Sequence, residues 1–282
     1  MRALVLAIAL AGCASGEHLE DSPAAAPIAV IQAERDFAAD AAARGWTAAF
    51  RTWAAPEAIT LSPDPVNAQQ NLAQIPGDGA KTLDWRPAFA GVSRSGELGF
   101  TTGPFQIRGR EGIVGHYFTV WRQEADGNWK WIFDGGTDVA DPGPIVAADA
   151  DIPTSEMSPI VRSSARQAIA DVTQIETQIA TGNALPADAL TRSLDANAHV
   201  DRGGAPAAIG RDAAAALIAN DGPVAFTSLR REGSEFGDMV FSLGEVRDQH
   251  EGAARLRYYA RIWQKRPEGW RIVFDEIIPR RN

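Results

Sequence analysis

The 282-residue sequence predicts an α+β fold built from two tandem units, each with three N-terminal helices packed on a strongly curved antiparallel sheet to form a cone. The first observation is an internal repeat. Residues 97–103 (ELGFTTG) return as 238–244 (DMVFSLG), a shift of 141; Tyr117 and Trp121 return as Tyr259 and Trp263; and 129–134 (WKWIFD) returns as 270–275 (WRIVFD). Such a spacing is far longer than the roughly 20–50 residues of stacked repeats, so it marks a duplicated domain. The second observation is a change of hydrophobic period inside each copy, from helical to alternating. The third is a stretch rich in Pro, Asp and Ala over 138–159, which reads as a linker between domains at 28–137 and 160–279.

Residues 28–44 have helical composition and stop at Gly45. Trp46, Ala49, Phe50 and Trp53 then fall at i, i+3, i+4 and i+7, which gives a short second helix one aromatic stripe. A short strand at 58–61 and a helix at 67–75, stopped by Pro76, follow. Strands are expected at 82–92, 98–107, 113–123 and 129–134, separated by Gly-containing turns. The second copy repeats the plan, with helices near 163–181, 187–194 and 211–220 and strands near 224–235, 238–247, 254–264 and 270–277.

Ahead of the domains, Arg2, the apolar run 3–11 and the small residues before Cys13 have the form of an export leader at 1–12. Leu10-Ala11-Gly12-Cys13 resembles the lipobox of bacterial lipoproteins, which implies lipidation at Cys13. Residues 13–27 then form a polar tether on the periplasmic side of the envelope, with Ala14 resembling outer-membrane sorting. A plain leader beside an unpaired thiol is the alternative. Cys13 is the single cysteine, so no disulfide contributes to folding. The net charge of −9 excludes nucleic acid as a natural partner and leaves the anchor as the membrane contact.

The order helix, helix, strand, helix, meander, together with the strand 115–121 (GHYFTVW) and the hairpin 126–131 (DGNWKW) leading to Phe133-Asp134, resembles the NTF2-like superfamily in its SnoaL-like group, DUF4440. The resemblance is close over 28–137 and looser over 160–279. It implies a pocket between the helices and the concave sheet, and a habit of pairing sheets into dimers, which tandem copies would satisfy as an intramolecular pseudo-dimer. The fold hosts isomerases, cyclases, dehydratases and pure binding modules, so it does not fix function.

Three groups are candidates for acid–base work. Asp64, within Asp64-Pro65-Val66, resembles the base-bearing segment of ketosteroid isomerase, and the same residues also make an ordinary turn. The first helix offers Phe37 where that isomerase pattern has a tyrosine. His116 and Tyr117 are neighbours on a strand and point to opposite faces, His116 with Phe118 and Val120, Tyr117 with Thr119 and Trp121. Asp134, repeated as Asp275, ends a strand where a carboxylate can act as acid, base or ligand anchor. His199 and Asp201 share a strand face and form either an orienting pair or a surface pair. Trp46, Phe50, Trp53, Tyr117, Trp121, Tyr259, Trp263 and Asp275 are the expected pocket lining, with most tryptophans also in the core. The four histidines have no metal-ligand spacing, and no phosphate loop, dinucleotide fingerprint or nucleophile elbow occurs, so no cofactor or metal is expected. With no complete catalytic set, the sequence favours an envelope lipoprotein that binds a small apolar or amphipathic molecule. The alternatives are a SnoaL-like isomerase, cyclase or dehydratase, and a structural interaction module.

Overall fold

The computed structural model describes residues 27–281 apart from 76, 78–82, 108–113, 140–142, 144–146, 160–162 and 183–184. The expected leader, Cys13 and most of the tether lie outside the described residues. Helix α1 (Ile28–Arg44) ends at Gly45, whose φ of 94° turns the chain into α2 (Trp46–Trp53). Then come β1 (Ala54–Leu61), β2 (Pro65–Asn67), α3 (Ala68–Leu72), β3 (Leu83–Trp85), β4 (Phe89–Val92), β5 (Leu98–Ile107), β6 (Val114–Gln123) and β7 (Trp129–Asp138). Asn67 caps α3, its side chain accepting from the Gln70 amide at 3.0 Å. In the second half, α4 (Ala165–Thr181), capped by Ser164, precedes α5 (Pro186–Ser193), β8 (Leu194–Arg202), β9 (Ala208–Ile209), α6 (Arg211–Ile218), β10 (Ala225–Gly233), β11 (Met239–His250), β12 (Ala253–Arg266) and β13 (Gly269–Pro279).

The first sheet has the order β2-β1-β7-β6-β5-β3, with β4 also paired to β5; the second has the order β10-β11-β12-β13-β8-β9. Read in corresponding directions these are one topology twice. In both, the first long strand enters parallel to the last, β1 beside β7 and β8 beside β13, and the other pairings are antiparallel. A register shift recurs at matching places, between Val120 and Trp121 and between Ile262 and Trp263. A bulge there bends both sheets at the same point.

Two expectations are corrected. The single strand expected at 82–92 is two short strands, because Arg86–Ala88 leave the ladder where Gly103 of β5 comes against the backbone of Arg86 and Ala88. The stretch 138–159 does more than connect: at the edge of β4 the Ala90 amide donates to the Pro153 carbonyl and the Ser155 amide donates to the Ala90 carbonyl, Arg35 donates to the Ala150 carbonyl at 2.6 Å, and Ile152 is buried. Gly91 permits this approach, since a Cβ there would overlap Phe100 and Ser155.

The convex sheet faces meet. Phe118 stacks on Phe274 at 4.1 Å between ring centroids, and Phe133 lies 5.3 Å from Phe241. One apolar core therefore runs from α1 through the first sheet into Met239, Phe241, Leu243, Ile262 and Phe274 of the second.

Candidate functional site

The alternation along β6 decides what faces the first cone. His116, Phe118 and Val120 point to the second half, whereas Tyr117, Thr119 and Trp121 point inward, and Asp134 of β7 stands opposite Thr119 in register. The register shift next to Trp121 lets both Trp131 and Asp134 face the interior. Inside, a cavity of about 470 Å³ is lined by Phe50, Leu61, Leu83, Trp85, Phe105, Tyr117 and Asp134, with Ile278, Pro279 and Arg281 arriving from the second half. That volume suits a small organic molecule.

Asp134 is the acid of this cavity. Its Oδ2 accepts the Thr119 hydroxyl at 2.8 Å. Burial pushes its pKa up to about 8 despite the Thr119 bond, and the charge of Glu34 adds to the rise. At neutral pH it therefore carries its proton and can donate one hydrogen bond. The Tyr117 hydroxyl is buried beside Thr101 without a well-formed hydrogen bond, and burial, then Glu34, hold it protonated. The cavity thus presents the neutral O–H donor of Asp134 against an aromatic wall that includes the Tyr117 ring.

Behind them lies Glu34, fully buried on α1. It accepts Trp85 Nε1 at 2.5 Å, Trp121 Nε1 at 3.0 Å and the Thr101 hydroxyl. Burial raises its pKa, with these bonds opposing the rise. Sequence reasoning missed this residue, although Val30, Glu34, Phe37 and Ala41 fall on one helical stripe. A carboxylate in the middle of an apolar stripe was the available signal.

The second half repeats this wiring and adds arginines to it. Glu176 of α4, in the place of Glu34, accepts Ser242 at 2.6 Å and Trp263 Nε1 at 3.0 Å. Where the first half has Thr119, the second has Arg261, fully buried; its Nε donates to Asp275 at 2.6 Å, and its guanidinium lies 4.6 Å from the Tyr259 ring centre. Arg202 donates to the other Asp275 oxygen at 2.7 Å and to Asp221 at 2.9 Å, and Arg231 holds Glu176 at 2.6 Å. Burial opposes charge on Asp275, but the two arginines outweigh it and lower its pKa. The equivalent carboxylates Asp134 and Asp275 are therefore driven in opposite directions by the two arginines around Asp275, Arg261 in the place of Thr119 and Arg202 of β8.

Of the expected site residues, Phe50, Tyr117 and Asp134 line the cavity together. Asp64 does not join them: it sits half-exposed on the bridge between halves, taking Arg280 Nε at 2.7 Å, Nη2 at 2.9 Å and the Tyr258 hydroxyl at 2.5 Å. Arg280, then Tyr258, lower its pKa to about 2, which opposes a role as base. His116 is buried between the sheets, its Nδ1 3.7 Å from Asp201. Asp201 and His199 are not a surface pair: Asp201 is buried, and the His199 ring stacks on Phe89 of the first half at 3.7 Å. Burial, then His116, lower the His199 pKa to about 4. Trp46, Trp53 and Trp121 pack around Phe37 and Phe50 behind the cavity, because the aromatic rings contact one another there. Tyr259, Trp263 and Asp275 surround Arg261 in the second half and are not part of the lining of this cavity. Trp85, missed as lining, closes the helical side. Among the described residues no His/Cys/Asp/Glu group is arranged to hold a metal ion, and no helix is long and apolar enough to cross a membrane.

No known family profile matches the chain, and no curated protein matches it. Solved NTF2-like structures do. An NTF-2 like protein of unknown function from Shewanella oneidensis is 14% identical over 39% of this chain and 97% of its own, with a TM-score of 0.33. An NTF2-like protein with a cystatin-like fold from Novosphingobium aromaticivorans is 23% identical over 40% of this chain and 80% of its own, at 0.30. A putative dehydratase of the NTF2-like family from Streptomyces avermitilis is 14% identical over 41% of this chain and 98% of its own, at 0.32.

Proposed function

We propose that this chain is a tandem NTF2-like binding protein that holds one small, largely apolar molecule in its first cone, with a hydrogen-bond acceptor of the ligand on Asp134. The observation that carries the reading is the cavity of about 470 Å³ in which that donor meets an aromatic wall including the Tyr117 ring. A neutral donor favours a neutral acceptor such as a carbonyl oxygen, because it pairs with it without the cost of burying a charge. The second half contributes support. Its cone is occupied by its own arginines, and its sheet covers the convex face of the first in the place a dimer partner would take. The domain limits, lipidation at Cys13 and residence on the periplasmic side of the envelope belong to the same proposal.

Native mass spectrometry on the exported protein tests it. The expected result is one co-purifying small molecule per chain, absent from Thr119→Arg, which rebuilds the second half's filled arrangement around Asp134. An equally loaded Thr119→Arg protein would refute the assignment.

A second reading rests on the titration of Asp134 near neutrality. A carboxyl group at about 8 is suited to move a proton to or from a carbon beside a carbonyl. Turnover of a ligand identified by the same experiment, lost in Asp134→Asn while binding persists, would establish it.

A further inference from the structure

The pocket has a wall that its own domain does not supply. Ile278 and Pro279, the last residues of β13, and Arg281 just beyond it line the cavity of the first half. Ile278 is buried, and its Cδ1 would lie 3.0 Å from a Cβ at Gly135, so the second half's terminal strand is seated closely against β7. The two consecutive arginines that follow are held differently. Arg280 is locked on Asp64 by Nε and Nη2, with Tyr258 on the same carboxylate. Arg281 makes a single hydrogen bond among the described residues, Nη2 to Asp138 at 2.8 Å, with both side chains more than half exposed (59% and 52%). An exposed pair of this kind holds with roughly 0–1 kcal/mol. A guanidinium carries five N–H donors in a planar fork, so most of this one's capacity is uncommitted.

Arg281 is also the cationic side chain of a lining whose one acid, Asp134, is protonated at neutral pH. The exposure gradient sets the order: Tyr117 at 7% is at the inner end and Arg281 is at the outer. We propose that Arg281, delivered by the second half, is the anion-binding group at the mouth of the first half's pocket, and that the ligand is an amphipathic organic anion with its apolar body in the cone and its carboxylate or sulfonate on this guanidinium. This rests on the binding reading above and names its ligand class. It also gives the duplication a role: the filled copy supplies the charge that the open copy lacks at its rim.

A matched pair of fluorescent probes separates the two claims. Anilinonaphthalene sulfonate and uncharged phenylnaphthylamine share an apolar body and differ in the anionic group. With the full chain at low ionic strength and neutral pH, the sulfonate is expected to bind about 10-fold more tightly, equivalent to about 1.4 kcal/mol. Arg281→Met, which keeps the apolar stem, should bring the two affinities together. Arg281→Lys should restore part of the preference, and Asp138→Asn, which removes the competing carboxylate, should enlarge it. Equal affinities for the two probes in the parent, or a preference that survives Arg281→Met, would overturn the anion proposal and leave the binding reading standing. Binding of neither probe would overturn both.

Discussion

Asp134 and Asp275 stand in equivalent places and carry opposite loads, and the difference lies one strand away. Beside Thr119 the carboxyl is held neutral; beside Arg261 and Arg202 it is held ionised. On the binding proposal, the affinity of the first half's cavity for a carbonyl ligand is pH-dependent. As pH rises through about 8, Asp134 loses the proton it donates, so binding weakens by roughly 3- to 10-fold, the worth of one neutral hydrogen bond. Asp134→Asn should bind with a flat profile over that range, which a titration at several pH values would show. Glu34 is the second residue-scale test. Glu34→Ala leaves two indole N–H groups and a hydroxyl buried without an acceptor, at a cost of roughly 3 kcal/mol or more. Glu34→Gln keeps an acceptor and should cost less than half of that in denaturant unfolding.

At the scale of elements, β13 carries the tightest arrangement. Glu276 is fully buried on it with neither carboxyl oxygen hydrogen-bonded among the described residues, close to Asp201, which itself faces His116 across the sheet interface. Burial raises its pKa far above the usual 4.5, and the negative charges of Asp201, Asp134 and Asp275 add to the rise against Arg202. Below the ordinary value both folded and unfolded chains are protonated. Above it the unfolded chain releases a proton that the folded chain keeps, so stability falls as pH rises. Glu276→Gln removes that slope. It should raise Tm at about pH 8 more than at about pH 5, with about 2–4 °C for each kcal/mol recovered in a chain of this size.

Several elements were legible because their local chemistry agrees with their packing. The limits of α1 and β5 match the expected ones, since Gly45 ends the helix and the alternation of 98–107 suits a two-sided strand. Where the two disagree, the pattern fell short. Strand β1 begins at Ala54, four residues early, because Ala54 and Ala55 have little strand preference and are recruited by parallel pairing with β7. The β11–β12 hairpin extends to His250 and Ala253 through charged residues held by Asp248 with Arg255 and Arg257, ion pairs no periodicity reveals. Of the site, Tyr117 and Asp134 were legible from alternation. Arg281 was not, because its position depends on how the halves pack, and neither were the bonds of Asp64, whose partners, Arg280 and Tyr258, lie some 200 residues away.

For the whole molecule, the shared core is the organising fact. Phe100, Phe118 and Phe133 of one sheet pack on Phe241 and Phe274 of the other, so neither half buries its convex face alone. Calorimetry should accordingly show one cooperative transition, and Phe118→Ala should lower it by the roughly 3–5 kcal/mol of a large core truncation. A fragment of 28–137 would expose that aromatic face and is expected to self-associate or unfold, by analytical ultracentrifugation. The asymmetry between the halves also belongs at this scale: the first holds the cavity beside Asp134, and in the second Arg202, Arg231 and Arg261 surround Asp275 and Glu176. The most direct test of that asymmetry is the number of phenylnaphthylamine molecules bound per chain at saturation. One per chain, falling to none in Thr119→Arg with the fold retained, is the predicted result. Two per chain, or one that persists in Thr119→Arg, would contradict the assignment of binding to the first cone.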